Sequence, residues 1–246
     1  MYRLGVVAGD MRMKYMYEAL VSDGYDTVYC TDTQTLPQLD VVVLPIGMSA
    51  KGVTTPIIFG SVNEQNVINY TANEYFKARN ALPTAEGALR LAMENTPSTI
   101  SGSRVTVIGY GYCGKAIADR LYCLDADVTV TARSESSRAV AENCGLKSAP
   151  MDMIANIPSD IIFNTVPTLV LTKPILEQLD RSTLIIDIAS KPGGVDFDAA
   201  EKLGIKTLHA LGIPGKYTPR TAGEILKTTV LSILSKGDLK CNKKLD

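Results

Sequence analysis

The stretch 104-RVTVIGYGYCGKAIADRLYCLDADVTVTA-132 decides the fold of this chain. It opens with a β-branched apolar run, passes through the pattern GxGxxG at 109-GYGYCG-114, and continues with apolar residues at helical spacing. A second β-branched run, 128-VTVTA-132, follows at the distance expected for a β-α-β unit. This context predicts a strand, a tight turn, a helix and a parallel strand, and it favours a dinucleotide site over a glycine-rich turn alone.

Each glycine of the motif has its own expected role. Gly109 makes the turn out of the strand, Gly111 lets a pyrophosphate approach bare backbone, and Gly114 lets the helix pack closely on the sheet. The first turn of the helix then offers unpaired N–H groups to the phosphates. Cys113 is expected to be a small packing residue, because the sequence shows no partner that would activate its thiol. The expected cofactor contacts in the motif are Gly109, Tyr110, Gly111, Tyr112, Cys113 and Gly114.

The residues after the second strand indicate which dinucleotide binds. An NAD site usually presents an acidic residue there to the ribose hydroxyls, whereas this chain has Arg133. Arginine binds phosphate through paired, charge-assisted hydrogen bonds, so Arg133, Ser134 and Arg138 favour NADP over NAD. Two alternatives stay open: both arginines could be solvated surface charges, and Glu135 could still bind a ribose.

Short apolar runs alternate with helical patterns along the whole chain, which is typical of parallel sheets with crossover helices. We predict an α/β protein with two Rossmann-like domains. The C-terminal domain is expected to be a doubly wound parallel sheet with strand order 3-2-1-4-5-6 that binds the dinucleotide. A break at Pro97 gives an N-terminal substrate or partner domain over 1–97 and a dinucleotide domain over 98–221. A C-terminal helix in 222–246 is a candidate to pack on the first domain.

Two further loops follow predicted strands of the C-terminal domain, where ligands bind in open α/β sheets. They are 164-NTVP-167 and the loop that begins 187-DIAS-190. The alternative is that these are simply favourable turn residues. The expected cofactor contacts in these loops are Asn164, Thr165, Val166, Pro167, Asp187, Ala189 and Ser190.

Composition excludes several classes of function. Lys and Arg number 25 against 26 Asp and Glu, and this balance argues against a nucleic-acid partner. No apolar run reaches the length of a membrane helix, and the N-terminus lacks the layout of a signal peptide, so we expect a cytoplasmic protein that does not bind membranes. The five cysteines are scattered, and no cluster has metal-ligand spacing, so no metal site is expected.

Six segments of the chain carry a resemblance to a known family: 5-GVVAGDMR-12, 82-LPTAEGALRLA-92, 107-VIGYGYCG-114, 164-NTVP-167, 184-LIIDIASKPGGVDF-197 and 211-LGIPGKYTPRTAGEIL-226. Taken together, they resemble the A subunits of dipicolinate synthase from spore-forming bacteria. The resemblance implies a pyridine-nucleotide-dependent oxidoreductase that forms dipicolinate (pyridine-2,6-dicarboxylate) from a dihydro- or hydroxytetrahydro-dipicolinate. It also implies a hetero-oligomer whose partner is the flavoprotein-like B subunit of dipicolinate synthase, and a location in the mother cell during sporulation.

A dicarboxylate substrate needs cationic and hydroxyl donors. Arg12, after the first predicted strand, is the first candidate for this role. The other candidate substrate contacts are Ser49, Thr84, Glu86 and Arg220.

The catalytic residues are unassigned. His209 is expected to be structural or on the surface, and Asp10 is the better-placed carboxylate, although it could serve only to hold Arg12. Two other functions therefore remain: a non-catalytic NADP-binding regulatory or scaffold subunit, and a related dehydrogenase of another small carboxylate.

Overall fold

The computed structural model describes residues 2–237 and divides into two compact units. The first unit contains residues 2–83 and 214–237, and the second is Thr84–Ile213. These bounds differ from the expected limits at 97 and 221, because the chain changes unit inside two helices instead of between elements. Each unit is built on its own parallel sheet.

Residues 2–237 form eleven strands, eight α-helices and two 3-10 helices. The strands are β1 (Leu4–Val7), β2 (Thr27–Cys30), β3 (Val41–Val43), β4 (Ile57–Gly60), β5 (Val67–Asn69), β6 (Arg104–Ile108), β7 (Asp127–Thr131), β8 (Lys147–Ala149), β9 (Ile161–Asn164), β10 (Leu184–Asp187) and β11 (Thr207–His209). The α-helices are α1 (Met11–Ser22), α2 (Glu74–Asn95), α3 (Tyr112–Cys123), α4 (Glu135–Asn143), α5 (Lys173–Leu176), α6 (Phe197–Leu203), α7 (Ile213–Tyr217) and α8 (Pro219–Ser235). Two 3-10 helices cover Tyr70–Ala72 and Met151–Asn156.

The first unit contains a five-stranded parallel sheet with the order β2-β1-β3-β4-β5. Helix α8 packs on α1, and Met16 and Leu20 of α1 share a buried core with Leu226 and Val230 of α8. The two helices approach closely because Gly223 has no side chain: a Cβ there would lie 2.8 Å from the backbone nitrogen of Met16. Part of the stretch expected to form this C-terminal helix, residues 238–246, lies outside the described residues.

The second unit contains a six-stranded parallel sheet with the order β11-β10-β9-β6-β7-β8. Numbered from β6, this is the order 3-2-1-4-5-6, so the predicted doubly wound fold is confirmed. The central strands are buried, and Ile108, Ile162 and Ile185 pack in one core beneath α5 and α6. The carboxyl ends of β6, β7, β9 and β10 therefore meet at one edge of the sheet.

Two local features are not evident from the residue pattern. Helix α2 begins at Glu74 and contains Pro83 in its interior, although proline usually interrupts a helix. Strand β4 was not predicted, although it pairs in parallel with both β3 and β5.

Candidate functional site

The glycine motif forms a tight turn between β6 and α3. Gly109 has a φ of +92°, a conformation that favours glycine, and its N–H donates to the carbonyl oxygen of Thr131 at 2.8 Å. A Cβ at Gly109 would lie 2.5 Å from Oγ1 of Thr165 and 2.8 Å from Cγ2 of Val166. The turn is thus packed directly against the loop that follows β9.

The other two glycines of the motif, Gly111 and Gly114, differ in the space that is available for a Cβ. A Cβ at Gly114 would collide with the carbonyl oxygen of Gly109, so only glycine lets α3 begin so close to the turn. Gly111 is the N-cap of α3 and gives no side-chain cap. Apart from its chain neighbours, no atom of residues 2–237 lies within 4 Å of the place a Cβ would occupy. Open space in front of uncapped N–H groups at a helix N-terminus fits a diphosphate.

The other residues of the motif differ in exposure. Tyr112 is exposed, whereas Tyr110 is buried, and burial together with the nearby Cys144 raises the pKa of Tyr110 to about 12. Burial also raises the pKa of the Cys113 thiol, and a hydrogen bond with Thr84 offsets this only in part. Cys113 therefore remains a protonated packing thiol at neutral pH.

A polar cluster follows β7. The side chain of Arg133 is exposed, and its guanidinium makes no hydrogen bond or ion pair with any other residue in 2–237. Ser134 caps α4 by accepting from the N–H of Ser137 at 3.2 Å. Arg138 folds back, and its Nη1 donates to the carbonyl oxygens of Ala132 at 2.8 Å and Arg133 at 3.0 Å. Arg138 thus stabilises the end of the strand, and Arg133 is left as the unpaired cation beside the N-terminus of α4.

The expected contacts in the loops after β9 and β10 fall into two groups. Asn164 and Asp187 are fully buried, and Nδ2 of Asn164 donates to Oδ1 of Asp187 at 2.8 Å. Asp187 also accepts from the backbone N–H of Ala189 and Gly194, at 3.0 and 2.8 Å. The side chains of these two residues therefore join the loops, and their contact with the cofactor stays a prediction. Exposed or half-buried positions are Thr165, Val166, Pro167 and Ser190, whereas Ala189 is buried.

The first unit has a charged pair at the carboxyl end of β1. Nη2 of Arg12 lies 2.9 Å from Oδ2 of Asp10, and the Arg12 side chain is only 4% exposed against 44% for Asp10. A Cβ at Gly215 would collide with Oδ2 of Asp10 and lie 2.9 Å from Nη2 of Arg12, so the backbone of α7 packs against both partners of the ion pair. The expectation that Arg12 binds the substrate directly is therefore not supported by its burial: Arg12 holds Asp10.

The remaining substrate candidates are dispersed. In the first unit, Ser49 is exposed and lines an open cavity of about 620 Å³ together with Lys51 and Asn66. Arg220 is 80% exposed and lies 4.0 Å from Glu224. In the second unit, Thr84 is buried against Cys113, and Glu86 forms an ion pair of 3.4 Å with Arg120.

Sequence reasoning did not single out three residues that the structure makes notable. Thr131, at the end of β7, is fully buried and its Oγ1 has no hydrogen-bond partner in the described part of the chain. Tyr70 is buried and donates to the carbonyl oxygen of Leu44 at 3.0 Å. Gly215 covers Arg12. Of these three residues, only Gly215 had a signal in the sequence, because it lies in the segment 211-LGIPGKYTP-219 that follows a predicted strand. The burial and the hydrogen-bond partners of the other two depend on tertiary packing.

The remaining observations concern His209, metal-ligating side chains and membrane-spanning helices. His209 is exposed, and its ring stacks on Phe197 with centroids 4.9 Å apart. Residues 2–237 contain no group of three His, Cys, Asp or Glu side chains that could hold a metal ion. Within the same residues, every helix is too short or too polar to cross a membrane.

Comparison with known proteins identifies the type of domain. Residues 72–189 match the family described as D-isomer specific 2-hydroxyacid dehydrogenase, NAD binding domain. Residues 72–189 therefore resemble the dinucleotide-binding domain of these dehydrogenases. This region contains the glycine motif, the polar cluster after β7 and the loop after β9.

Dipicolinate synthase A subunits from two species resemble this chain over a larger part of its length. A stretch of 158 residues, 63% of this chain, is 42% identical to the A subunit of dipicolinate synthase from Bacillus subtilis strain 168, and it covers 53% of that protein. The matched region thus spans about half the length of that curated relative. The crystal structure of the dipicolinate synthase A subunit from Bacillus halodurans superposes with a TM-score of 0.85 at 26% identity, over 94% of this chain and 97% of that one. The Bacillus subtilis structure gives 0.84 at 28% identity, over 95% of both chains.

Proposed function

We propose that this chain, whose resemblance to dipicolinate synthase A subunits is confirmed, is the dinucleotide-binding subunit of an NADP-dependent oxidoreductase. Its product would be dipicolinate, formed from a dihydro- or hydroxytetrahydro-dipicolinate. A B subunit would complete a hetero-oligomer in the cytoplasm of the mother cell of a sporulating bacterium. The proposal rests on the glycine motif, the dehydrogenase-type domain and the relatives just described.

The dinucleotide would be held by the backbone of Gly111 and the first turn of α3, with Thr165 and Val166 lining the adjacent loop. When bound, its nicotinamide accepts a hydride, which is a hydrogen together with two electrons. The protein then has to place the ring of the substrate, exclude water and receive a proton. Aromaticity of the pyridine product favours this direction of the reaction.

The observation that carries the choice of NADP is the unpaired guanidinium of Arg133. It follows β7 at the position where an acidic residue would bind the ribose of NAD, and it stands beside the serine-rich N-terminus of α4. A guanidinium and a helix N-terminus together suit a doubly charged phosphate group.

The test is calorimetric titration of the full chain with NADPH and NADH. Arg133→Ala should weaken NADPH binding about 10- to 100-fold, which corresponds to losing a hydrogen bond between charged groups. NADH binding should change less than about twofold. Arg181→Ala is the matched control, because Arg181 is an exposed arginine of the same unit near the amino end of β10. Equal losses for both dinucleotides would refute the phosphate role of Arg133.

A second candidate function is a non-catalytic NADP-binding subunit. One observation favours this role: the acid–base candidates of the second unit already have partners. Asp187 is buried and accepts hydrogen bonds from three donors, and the ring of His209 stacks on Phe197. Turnover of a dihydrodipicolinate, followed by nicotinamide absorbance with this chain by itself, with its B partner by itself and with both together, separates the two functions. NADPH binding without any turnover in the complete complex would favour the non-catalytic role. Turnover of another small carboxylate alone would favour a related dehydrogenase.

A further inference from the structure

Lys115 places an uncompensated positive charge in the first turn of α3. It is the fourth residue of that helix and directly follows Gly114 of the glycine motif. The N-terminus of a helix carries a partial positive charge, so a cation there is unfavourable unless an anion compensates it. The first turn of α3 contains no acidic residue. Within residues 2–237 the ammonium of Lys115 forms no ion pair, although Asp119 follows one turn later in the same helix.

The ammonium of Lys115 lies over the ring of Tyr110. Its Nζ is 5.4 Å from the ring centroid, which is the distance of a cation–π interaction. Tyr110 stands between Gly109 and Gly111, and it is only 6% exposed. This contact therefore keeps the ammonium beside the turn that is expected to receive the phosphates of the dinucleotide.

Tyr110 also shows on which side of α3 the ammonium lies. The hydroxyl of Tyr110 interacts with the side chain of Cys144, the residue at the C-cap of α4. The ring therefore lies on the side of α3 that faces α4, and so does the cation over it. This is the side of β7, which precedes α4, and not the side of β9.

The register of β6 and β7 brings this side of α3 next to the polar cluster that contains Arg133. Ile108 pairs with Thr131, and the N–H of Gly109 donates to the carbonyl oxygen of Thr131 at 2.8 Å. Tyr110 follows Ile108 by two positions, and Arg133 follows Thr131 by two positions. Both residues thus leave neighbouring strands at the same level of the sheet, and an unpaired cation accompanies each of them.

We propose that Lys115 is a second cation for the 2′-phosphate of NADP and determines cofactor specificity together with Arg133. This proposal rests on the proposed function. Both residues lie within 72–189, the region that matches an NAD binding domain. The pyrophosphate is common to NAD and NADP, and the uncapped N–H groups of α3 already suit it. The additional phosphate of NADP carries nearly two negative charges at neutral pH, more than one guanidinium neutralises.

The main test is calorimetric titration of the full chain with NADPH, with NADH measured by its competition against NADPH. Lys115→Gln removes the charge and should weaken NADPH binding about tenfold or more, as for loss of a hydrogen bond between charged groups. NADH binding should change less than about twofold. Lys115→Arg keeps the charge and should bind NADPH within about threefold of the wild type. Lys202→Gln is the matched control, because Lys202 is an exposed lysine of the same unit in the last turn of α6, and it should change neither affinity.

Thermal unfolding separates a role in binding from a role in the stability of α3. Without dinucleotide, the Tm of Lys115→Gln should lie within about 2 °C of the wild type or above it, because removing a cation from the helix N-terminus offsets the lost cation–π contact. The same concentration of NADPH should then raise the Tm of Lys115→Gln less than that of the wild type. A Tm far below the wild type without dinucleotide would assign Lys115 to the stability of the helix and overturn the proposal.

The outcomes also separate this proposal from the proposed function. A wild type that binds neither dinucleotide overturns the function itself, and one that binds NADPH no more tightly than NADH overturns the choice of NADP. If the wild type prefers NADPH, an unchanged preference in Lys115→Gln overturns only the role of Lys115. Equal losses for NADPH and NADH would place the ammonium on the pyrophosphate and overturn the proposal as well.

Discussion

At the scale of single residues, the motif contains glycines that are needed for different reasons. Gly114 is required by the fold, because a Cβ would meet the carbonyl oxygen of Gly109. Gly111 has ordinary φ and ψ values of −79° and −164° and open space where a Cβ would stand. Within the described part of the chain, neither the backbone conformation nor the packing requires glycine at 111, so the requirement is expected to come from the ligand.

This difference predicts opposite phenotypes for two substitutions. Gly111→Val should leave the free energy of unfolding within about 1 kcal/mol of wild type, yet reduce NADPH affinity by more than about tenfold, because the side chain occupies the space of the pyrophosphate. Gly114→Ala should lower stability by about 1–3 kcal/mol through overpacking against backbone. Urea denaturation and calorimetric titration of both variants measure these effects. Undiminished NADPH binding by Gly111→Val would refute the assignment of the site.

Thr131 supports a prediction about stability alone. Its hydroxyl is buried without a partner among residues 2–237, and such a group costs about 1–3 kcal/mol. Replacement by valine, which has the same shape, should therefore stabilise the second unit by up to about that amount. Thr183→Val is the control, because Oγ1 of Thr183 donates to the carbonyl oxygen of Ser159 at 2.8 Å and its loss should destabilise by about 1 kcal/mol. Chemical denaturation measures both, and destabilisation by Thr131→Val would contradict the argument.

Single residues also show which parts of the site could be predicted from the sequence and which could not. The glycine motif was predictable because each of its residues has a backbone role that is encoded locally. Arg12 was not, because whether its guanidinium reaches a ligand depends on α7, which covers it from more than 200 positions further along the chain. The same holds for Asn164 and Asp187, which look like ligand contacts in the sequence and are buried in the structure.

At the scale of elements, the order of strands was predictable and some boundaries were not. Crossover connections in parallel sheets obey strong rules, so the β-α-β unit at β6 and β7, followed by further alternating strands and helices, favoured the doubly wound order. Strand β4 follows a long irregular loop and has only four residues, too few for a clear pattern. Helix α2 continues through Pro83, although an interior proline removes one backbone hydrogen bond and its ring meets the carbonyl group four residues earlier, so the residue pattern favours a break there.

The loops after β9 and β10 act as one structural element through Asn164. Its Nδ2 donates to Asp187 at 2.8 Å and to the carbonyl oxygen of Val166 at 3.0 Å, and its Oδ1 accepts from the N–H of Val166 at 3.1 Å. Asn164→Ala should destabilise the protein by about 2–4 kcal/mol, because a buried carboxylate loses a donor. Asn156→Ala, at an exposed position, should cost less than about 0.5 kcal/mol. Urea denaturation checks both values, and equal costs would show that the loops do not depend on this bond.

At the scale of the whole molecule, two parallel sheets are formed by one chain that enters the first unit twice. Residues 2–83 supply its strands, and residues 214–237 supply α8, which completes its core with α1. The second unit, by contrast, is a single continuous segment that holds the glycine motif and the polar cluster. A bound dinucleotide is therefore expected to stabilise mainly the second unit.

This division predicts where a ligand slows amide hydrogen exchange. NADPH at a free concentration about 100 times its Kd stabilises the unit that binds it by about 2.7 kcal/mol, so amides that exchange only through unfolding of that unit should slow about 100-fold. Hydrogen-exchange mass spectrometry should show this slowing in β6 and β7 and little change in β1 and β3. Gly111→Val should show none under the same conditions. Slowing confined to the first unit would place the dinucleotide on the five-stranded sheet and overturn the assignment, since the uncapped first turn of α3 belongs to the second unit.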